Sequence, residues 1–266
     1  MVAADSHFAA IFDHLGAVLE TAPLTYKAWH RSNFEQHAAR YAADLKSLAA
    51  LAPSGSAVLD VGAGPGHFTA ALAEAGYRAV GVDVNPGRFA DFSARFGLDV
   101  VGCDIERRPL PFADGAFRYV TFTEVYEHLR VDPFFALSEI NRVLAHGGLL
   151  LLSTPNLYSA QNIARFVTGR SIGDPLVEFG KLRRIGHMGH VREYSNREMR
   201  RILAAHGFAV TATRFDHYNF SPTRRGRMAR LVFAVLPRRF RTIQLLIARK
   251  VREARRLAPL GRADAT

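Results

Sequence analysis

Glu124, Glu127 and His128 stand close together in the stretch Thr123-Glu124-Val125-Tyr126-Glu127-His128-Leu129. If a helix begins after Thr123, the three occupy positions i, i+3 and i+4 and share one face. Two carboxylates and an imidazole converging there offer oxygen and nitrogen ligands for a hard or borderline divalent cation, magnesium or manganese. Such an ion could bind a hydroxyl and lower its pKa. Without a metal, His128 is the candidate general base, because imidazole titrates near neutrality, and Glu127 is its neighbour in the catalytic set.

A second group has the types and spacing of a cofactor loop. Asp60-x-Gly62-x-Gly64-x-Gly66 follows the apolar run 57–61 and precedes a stretch in which Phe68, Ala71 and Leu72 have helical spacing, so the glycines fall at a strand-to-helix turn. A dinucleotide fingerprint wants G-x-G-x-x-G; here every second residue is glycine and an acid comes just before the first. That acid would repel a pyrophosphate and suits a cationic, zwitterionic ligand. Asp83 closes the next apolar run, and its acceptor-only carboxylate can take both ribose hydroxyls. Asp104 and Ile105 close a third, the acid placed to accept from an adenine amine and the apolar side chain to cover the ring.

Bringing these groups to one edge requires strands at 57–61, 79–83, 99–102, 117–122 and 149–153, alternating with helices at 67–75, 88–96 and 134–144. Right-handed crossovers then give an α/β fold with a doubly wound, Rossmann-like, mostly parallel sheet, helices on both faces and a ligand crevice at the strands' carboxyl ends. Residues 1–53 read as an N-terminal helical cover, with helices at 1–24 and 34–51, over the cofactor site. Tyr26, Trp29, His30 and His37 lie in or beside it. Residues 157–200 interrupt the rhythm as an acceptor-side insertion, and Ser195 with Glu198 marks the N-cap of a helix ending at Gly207. Strands at 208–215 and 241–248 complete the domain at residue 250, and 251–266 form a basic tail.

With VLDVGAGPG, VGVDVNP, CDIERRPLPFADGAF, FTEVYEHL, EINRVLAHGGLLLLSTPN and HVREYSNREMRRILAAHGF in this order, residues 54–250 resemble a class I S-adenosylmethionine-dependent methyltransferase, in the broad group that includes ubiquinone-type O-methyltransferases. The resemblance implies a seven-stranded sheet whose last strand is antiparallel. It implies S-adenosyl-L-methionine as cofactor, with Gly62, Gly64 and Gly66 lining the methionine moiety, Asp60 supporting its amino end, Asp83 on the ribose, and Asp104 with Ile105 on the adenine. The E-x-x-E-H pattern resembles the metal set of ubiquinone-pathway O-methyltransferases and of small-RNA 2′-O-methyltransferases; the latter add a histidine that falls at His190, with His187 as a substitute. The implied metal set is therefore Glu124, Glu127, His128 and His190.

Acceptor classes separate on local residues. A cytosine-C5 enzyme needs a cysteine near the fourth strand, and the lone Cys103 is on the third; nucleobase amine enzymes resemble Asn/Asp-Pro-Pro-aromatic where this chain has Thr123-Glu124-Val125-Tyr126. Oxygen is the expected acceptor, on a small molecule, lipid or glycan. The alternatives are a metal-dependent RNA 2′-O-methyltransferase and a cofactor-binding scaffold without turnover, against which the intact glycines and acids argue. The chain of 266 residues carries a net charge of +11, unevenly: residues 181–266 hold 21 of the 35 lysines and arginines but 5 of the 24 acids, +16 against −5 for residues 1–180. A basic C-terminal third points to an anionic partner. The run 224–241, apolar with arginines at its ends, fits peripheral contact with an anionic membrane, whereas scarce aromatic interleaving argues against nucleic acid. One cysteine, no apolar run of the roughly 20 residues a spanning helix needs, and no signal-peptide pattern make the cytoplasm the expected compartment.

Overall fold

A computed structural model describes residues 2–185, 189–218, 230, 231 and 233–259. His187, Arg224, Arg225, Arg227, much of the run 224–236 and the end of the basic tail lie outside the described residues.

Alternation of side chains divides each central strand between two cores. Along β1 (Ala57–Val61), Leu59 and Val61 face one side and Val58 the other; along β5 (Leu144–Pro155), Leu150 and Leu152 oppose Leu149 and Leu151. Between them runs β4 (Phe117–Thr123), and beyond β1 come β2 (Arg78–Asp83) and β3 (Asp99–Gly102). The sheet has seven strands in the order β3-β2-β1-β4-β5-β7-β6, with β6 at Phe208–Asp216 and β7 at Ile243–Lys250. Only β7 runs against the rest, pairing antiparallel with both β5 and β6. The expected fold class is therefore the observed one.

One face carries α5 (Pro133–Val143) and α8 (Asn196–Ala205), which bury Leu137, Ile140, Met199 and Leu203 against the sheet. Asp132 caps α5 by accepting from the Phe135 amide, and Ser195 and Glu198 form the reciprocal capping box that the sequence predicts for α8. On the other face α1 (Val2–Thr21), α2 (Lys27–Ala49) and α3 (His67–Glu74) contribute Leu15, Leu19, Leu45, Leu48 and Leu72 to one cluster with the strands. The N-terminal helices thus share a core with the sheet. Helix α2 begins seven residues before the expected Phe34. Its first turns, Lys27-Ala28-Trp29-His30, carry no apolar stripe, but His30 is buried against His67, its Nδ1 2.9 Å from the partner's Nε2.

The insertion after β5 contains two helices that periodicity does not announce, α6 (Ala160–Val167) and α7 (Pro175–Ile185). The region 88–96 is a short 3-10 turn, Pro86–Phe89, followed by α4 (Ala90–Arg95). Among the described residues no helix is long and apolar enough to cross a membrane.

Candidate functional site

Strands β1 and β4 are adjacent although α3, β2, α4 and β3 lie between them in sequence, so the strand order reverses there, the place at whose carboxyl edge an open α/β sheet holds its ligand. Gly62 makes the turn after β1 at φ +80°, and a Cβ there would lie 2.3 Å from Val125 Cγ2, so the glycine loop is pressed against the turn that follows β4. Gly64 abuts Asp83, whose Oδ2 accepts from the Gly64 amide at 3.0 Å and whose Oδ1 accepts from Asn85 at 2.9 Å. Beneath the loop Asp60 is buried, its carboxylate accepting from Thr69 Oγ1 at 2.7 Å and Thr121 Oγ1 at 2.9 Å. Burial pushes that carboxyl above its usual range, and the two hydroxyls oppose the shift. At the end of β3, Asp104 accepts from the Glu106 amide at 3.1 Å and Ile105 packs partly buried against the core. The loop glycines, Asp83, Asp104 and Ile105 therefore line one edge, as the sequence expects.

Across the crevice the structure corrects the expected geometry. No helix starts after Thr123. Glu124 takes a left-handed conformation at φ +57°, and a three-residue 3-10 turn, Tyr126–His128, follows. The turn separates Glu124 from the face shared by Glu127 and His128: Glu124 Oε1 accepts from Ser153 Oγ at 3.0 Å. The metal set of four thus becomes a group of three. One ligand atom each from Glu127, His128 and His190 lies within 4.8 Å of the others, and Glu124 stands outside this group.

His190 arrives by backbone pairing, because the amides of Val191 and Arg192 donate to the Glu127 carbonyl at 2.8 and 3.2 Å. His128 Nδ1 donates to the Gly189 carbonyl at 2.9 Å, which turns Nε2 toward Glu127 Oε1, 3.8 Å away. His190 Nδ1 donates to Glu193 Oε1 at 3.1 Å. Glu127 is 1% exposed; Thr154 donates to its Oε2 at 3.0 Å, and its Oε1 has no hydrogen-bond partner. Burial, and then the nearby Glu124, push the Glu127 carboxyl well above its usual range.

Two cavities flank this group and share His190, Arg165 and Glu193. The larger, about 830 Å³, is walled by α6, α7 and the 189–193 segment, with His128 at its inner end. The smaller, about 270 Å³, is lined mainly by polar side chains, including Glu124, His37 and Arg40. Arg40 is a residue the sequence reading passes over. It is buried on α2, pairs with Asp44 at 3.3 Å and acts electrostatically on both Glu124 and Glu127. Its signal is a buried i, i+4 charge pair beside an apolar stripe. Of the N-terminal candidates, His37 reaches this cavity, whereas Trp29 stacks on Phe89 and His30 is taken by His67.

Comparisons with known proteins give the family and the fold. The Methyltransf_23 family model, described as a methyltransferase domain, matches residues 34–213. Solved structures with the same fold include an S-adenosylmethionine-dependent methyltransferase from Archaeoglobus fulgidus (TM-score 0.58, 20% identity, covering 85% of this chain and 100% of that one). Another from Thermotoga maritima has a TM-score of 0.55 at 19% identity, covering 84% and 95%. The [4+2]-cyclase SpnF also matches, at 0.53 and 22%, covering 79% and 82%, so the fold by itself does not fix the reaction. No curated protein matches. With the family model spanning most of the chain and the sheet carrying the glycine loop, Asp83 and Asp104 at its carboxyl edge, the chain belongs to the Methyltransf_23 family of S-adenosylmethionine-dependent methyltransferases.

Proposed function

We propose that this methyltransferase acts on a hydroxyl of a small molecule, lipid or glycan, in the manner of the ubiquinone-type O-methyltransferase group. The observation that supports this reading is the Glu127–His128–His190 group, whose two histidines line the 830 Å³ cavity and whose turn after β4 meets the glycine loop at Val125. In it Gly62, Gly64 and Gly66 line the methionine part of the donor, Asp60 supports its amino end from below, Asp83 holds the ribose, and Asp104 with Ile105 holds the adenine. The acceptor oxygen attacks the sulfonium methyl in line; the new C–O bond forms as the C–S bond breaks, and sulfur keeps the electron pair. Where no metal is bound, the hydroxyl proton goes to His128 Nε2, the basic nitrogen of the tautomer that Gly189 fixes.

The same three side chains fit a divalent ion, because a buried carboxylate oxygen without a partner is what an ion would satisfy. Two imidazoles and one carboxylate suit manganese better than magnesium, and an ion held there would lower the acceptor's pKa. A lipid or lipid-linked acceptor at an anionic membrane is supported by Leu176, Val177 and Phe179, exposed on α7 beside Lys181 and Arg183. The test is transfer of labelled methyl from S-adenosylmethionine into cell extract, sorted into lipid, glycan, small-molecule and RNA fractions. Label as a methyl ether in a fraction other than RNA is expected. Label confined to RNA ribose would replace the acceptor with RNA, and label on nitrogen would overturn O-methylation.

A further inference from the structure

A groove of about 630 Å³ between α8 and the segment before β7 is lined by Asn196, Arg197, Arg200, Arg201, Phe215 and Arg239. It has four guanidinium groups and, among the described residues, no carboxylate in its lining. Arg197, Arg200 and Arg201 follow the i, i+3, i+4 spacing of one helix face, and all four arginines are exposed. Like charges gathered this closely repel one another unless an anion lies between them. Some arginines outside the groove do meet acids: Arg142 pairs with Glu139 and Asp114, and Arg192 with Glu198.

The groove's arginines are oriented by neutral partners instead. Arg200 donates from Nε to Asn196 Oδ1 at 3.0 Å and from Nη2 to Thr213 Oγ1 at 2.8 Å, which fixes its plane and leaves its charge intact. Arg239 lies over the Phe240 ring, 5.1 Å from its centroid, and its carbonyl accepts from Asn156 Nδ2 at 2.8 Å. Asn156 directly follows β5, so this end of the groove adjoins the sheet edge that carries the acceptor cavities.

We propose that the groove is a binding site for a diphosphate group. Guanidinium forks match phosphate oxygens two at a time, and four arginines along one open groove suit two adjacent phosphates better than one. A bilayer surface fits less well, because the lining offers no protruding apolar side chain, its one aromatic, Phe215, being half-buried. The proposal does not depend on which hydroxyl is methylated.

Titration calorimetry at about 150 mM salt, where long-range attraction between exposed charges is screened, tests it with inorganic pyrophosphate against orthophosphate. Pyrophosphate is expected to bind at least about tenfold more tightly than orthophosphate, and Arg197→Ser or Arg239→Ser to weaken it at least about tenfold. Both side chains are exposed, so the variants keep the fold, which circular dichroism checks. Parallel titrations with ADP and farnesyl diphosphate distinguish a nucleotide source from a lipid-linked one. Absence of pyrophosphate binding, or binding unchanged in both variants, overturns the proposal. A single-stranded oligonucleotide that binds where pyrophosphate does not overturns it in favour of a polymer.

Discussion

His128 Nδ1 donates to the carbonyl oxygen of Gly189 across 2.9 Å, and because a carbonyl only accepts, this contact selects the tautomer whose Nε2 holds a lone pair facing Glu127. A base in that position should be worth roughly 10²–10⁴ in rate. His128→Ala is therefore expected to lower single-turnover methyl transfer by about that factor while leaving S-adenosylmethionine affinity, read by calorimetry, within about twofold. Equal loss of both would assign His128 to donor binding instead.

The displacement of Glu124 from the other three residues gives the metal reading a sharp test. Manganese titrated into protein free of donor and acceptor should bind, and Glu127→Gln or His190→Ala should weaken it at least about tenfold. Glu124→Gln should weaken it less, since its carboxylate is engaged by Ser153. In metal-free protein the raised Glu127 pKa also has a stability consequence. A carboxyl raised in the fold contributes stability below its unfolded value near 4.5 and loses it as pH rises toward the folded value. Metal-free Glu127→Gln should thus gain thermal stability over the parent at pH 8 and not at pH 4.

Asp83 joins the glycine loop to the end of β2 through its contacts with Gly64 and Asn85. Asp83→Ala removes this tie together with the proposed ribose acceptor, and should weaken S-adenosylmethionine at least about tenfold by calorimetry. Gly64→Ala should do the same by a different route, because its Cβ would stand 2.8 Å from Asp83 Oδ2. Unchanged affinity in Asp83→Ala would remove the cofactor assignment at that residue.

What the sequence makes legible follows from periodicity. Buried parallel strands are continuous apolar runs, so β1 to β5, with Asp83 and Asp104 at the ends of β2 and β3, can be read from residue types alone, and Ser195-x-x-Glu198 fixes the start of α8. The turn after β4 is not legible. A glutamate at φ +57° has no sequence signal, since residues with a side chain seldom adopt that conformation, and the i, i+3, i+4 pattern mimics a helix that does not form. Arg40 is hidden for a related reason. The i, i+4 spacing of Arg40 and Asp44 is in the sequence, but that the pair is buried depends on where α2 packs, through Leu45 and Leu48, on the sheet.

The pair His30–His67 governs the response to acid. Burial first, and then the neighbouring His30 and His37, lower the His67 pKa to about 3, so the folded protein holds this imidazole neutral. The unfolded chain binds a proton near pH 6.5, so the contribution of His67 is complete above that value and is lost as pH falls toward about 3. Asp44, raised to about 7 by burial, moves stability the other way over part of this range, and the comparison must cancel it. Subtracting the stability of His67→Leu from that of the parent does so, because Asp44 stays buried in both. At pH 8 the variant should be less stable by about 1–3 kcal/mol, having left His30 Nδ1 without its partner. As pH falls below about 6.5 this gap should close, because both proteins keep His30 buried but only the parent must also keep His67 unprotonated. A gap that stays constant from pH 8 to pH 4 in urea unfolding would mean that His67 is not held neutral by the fold.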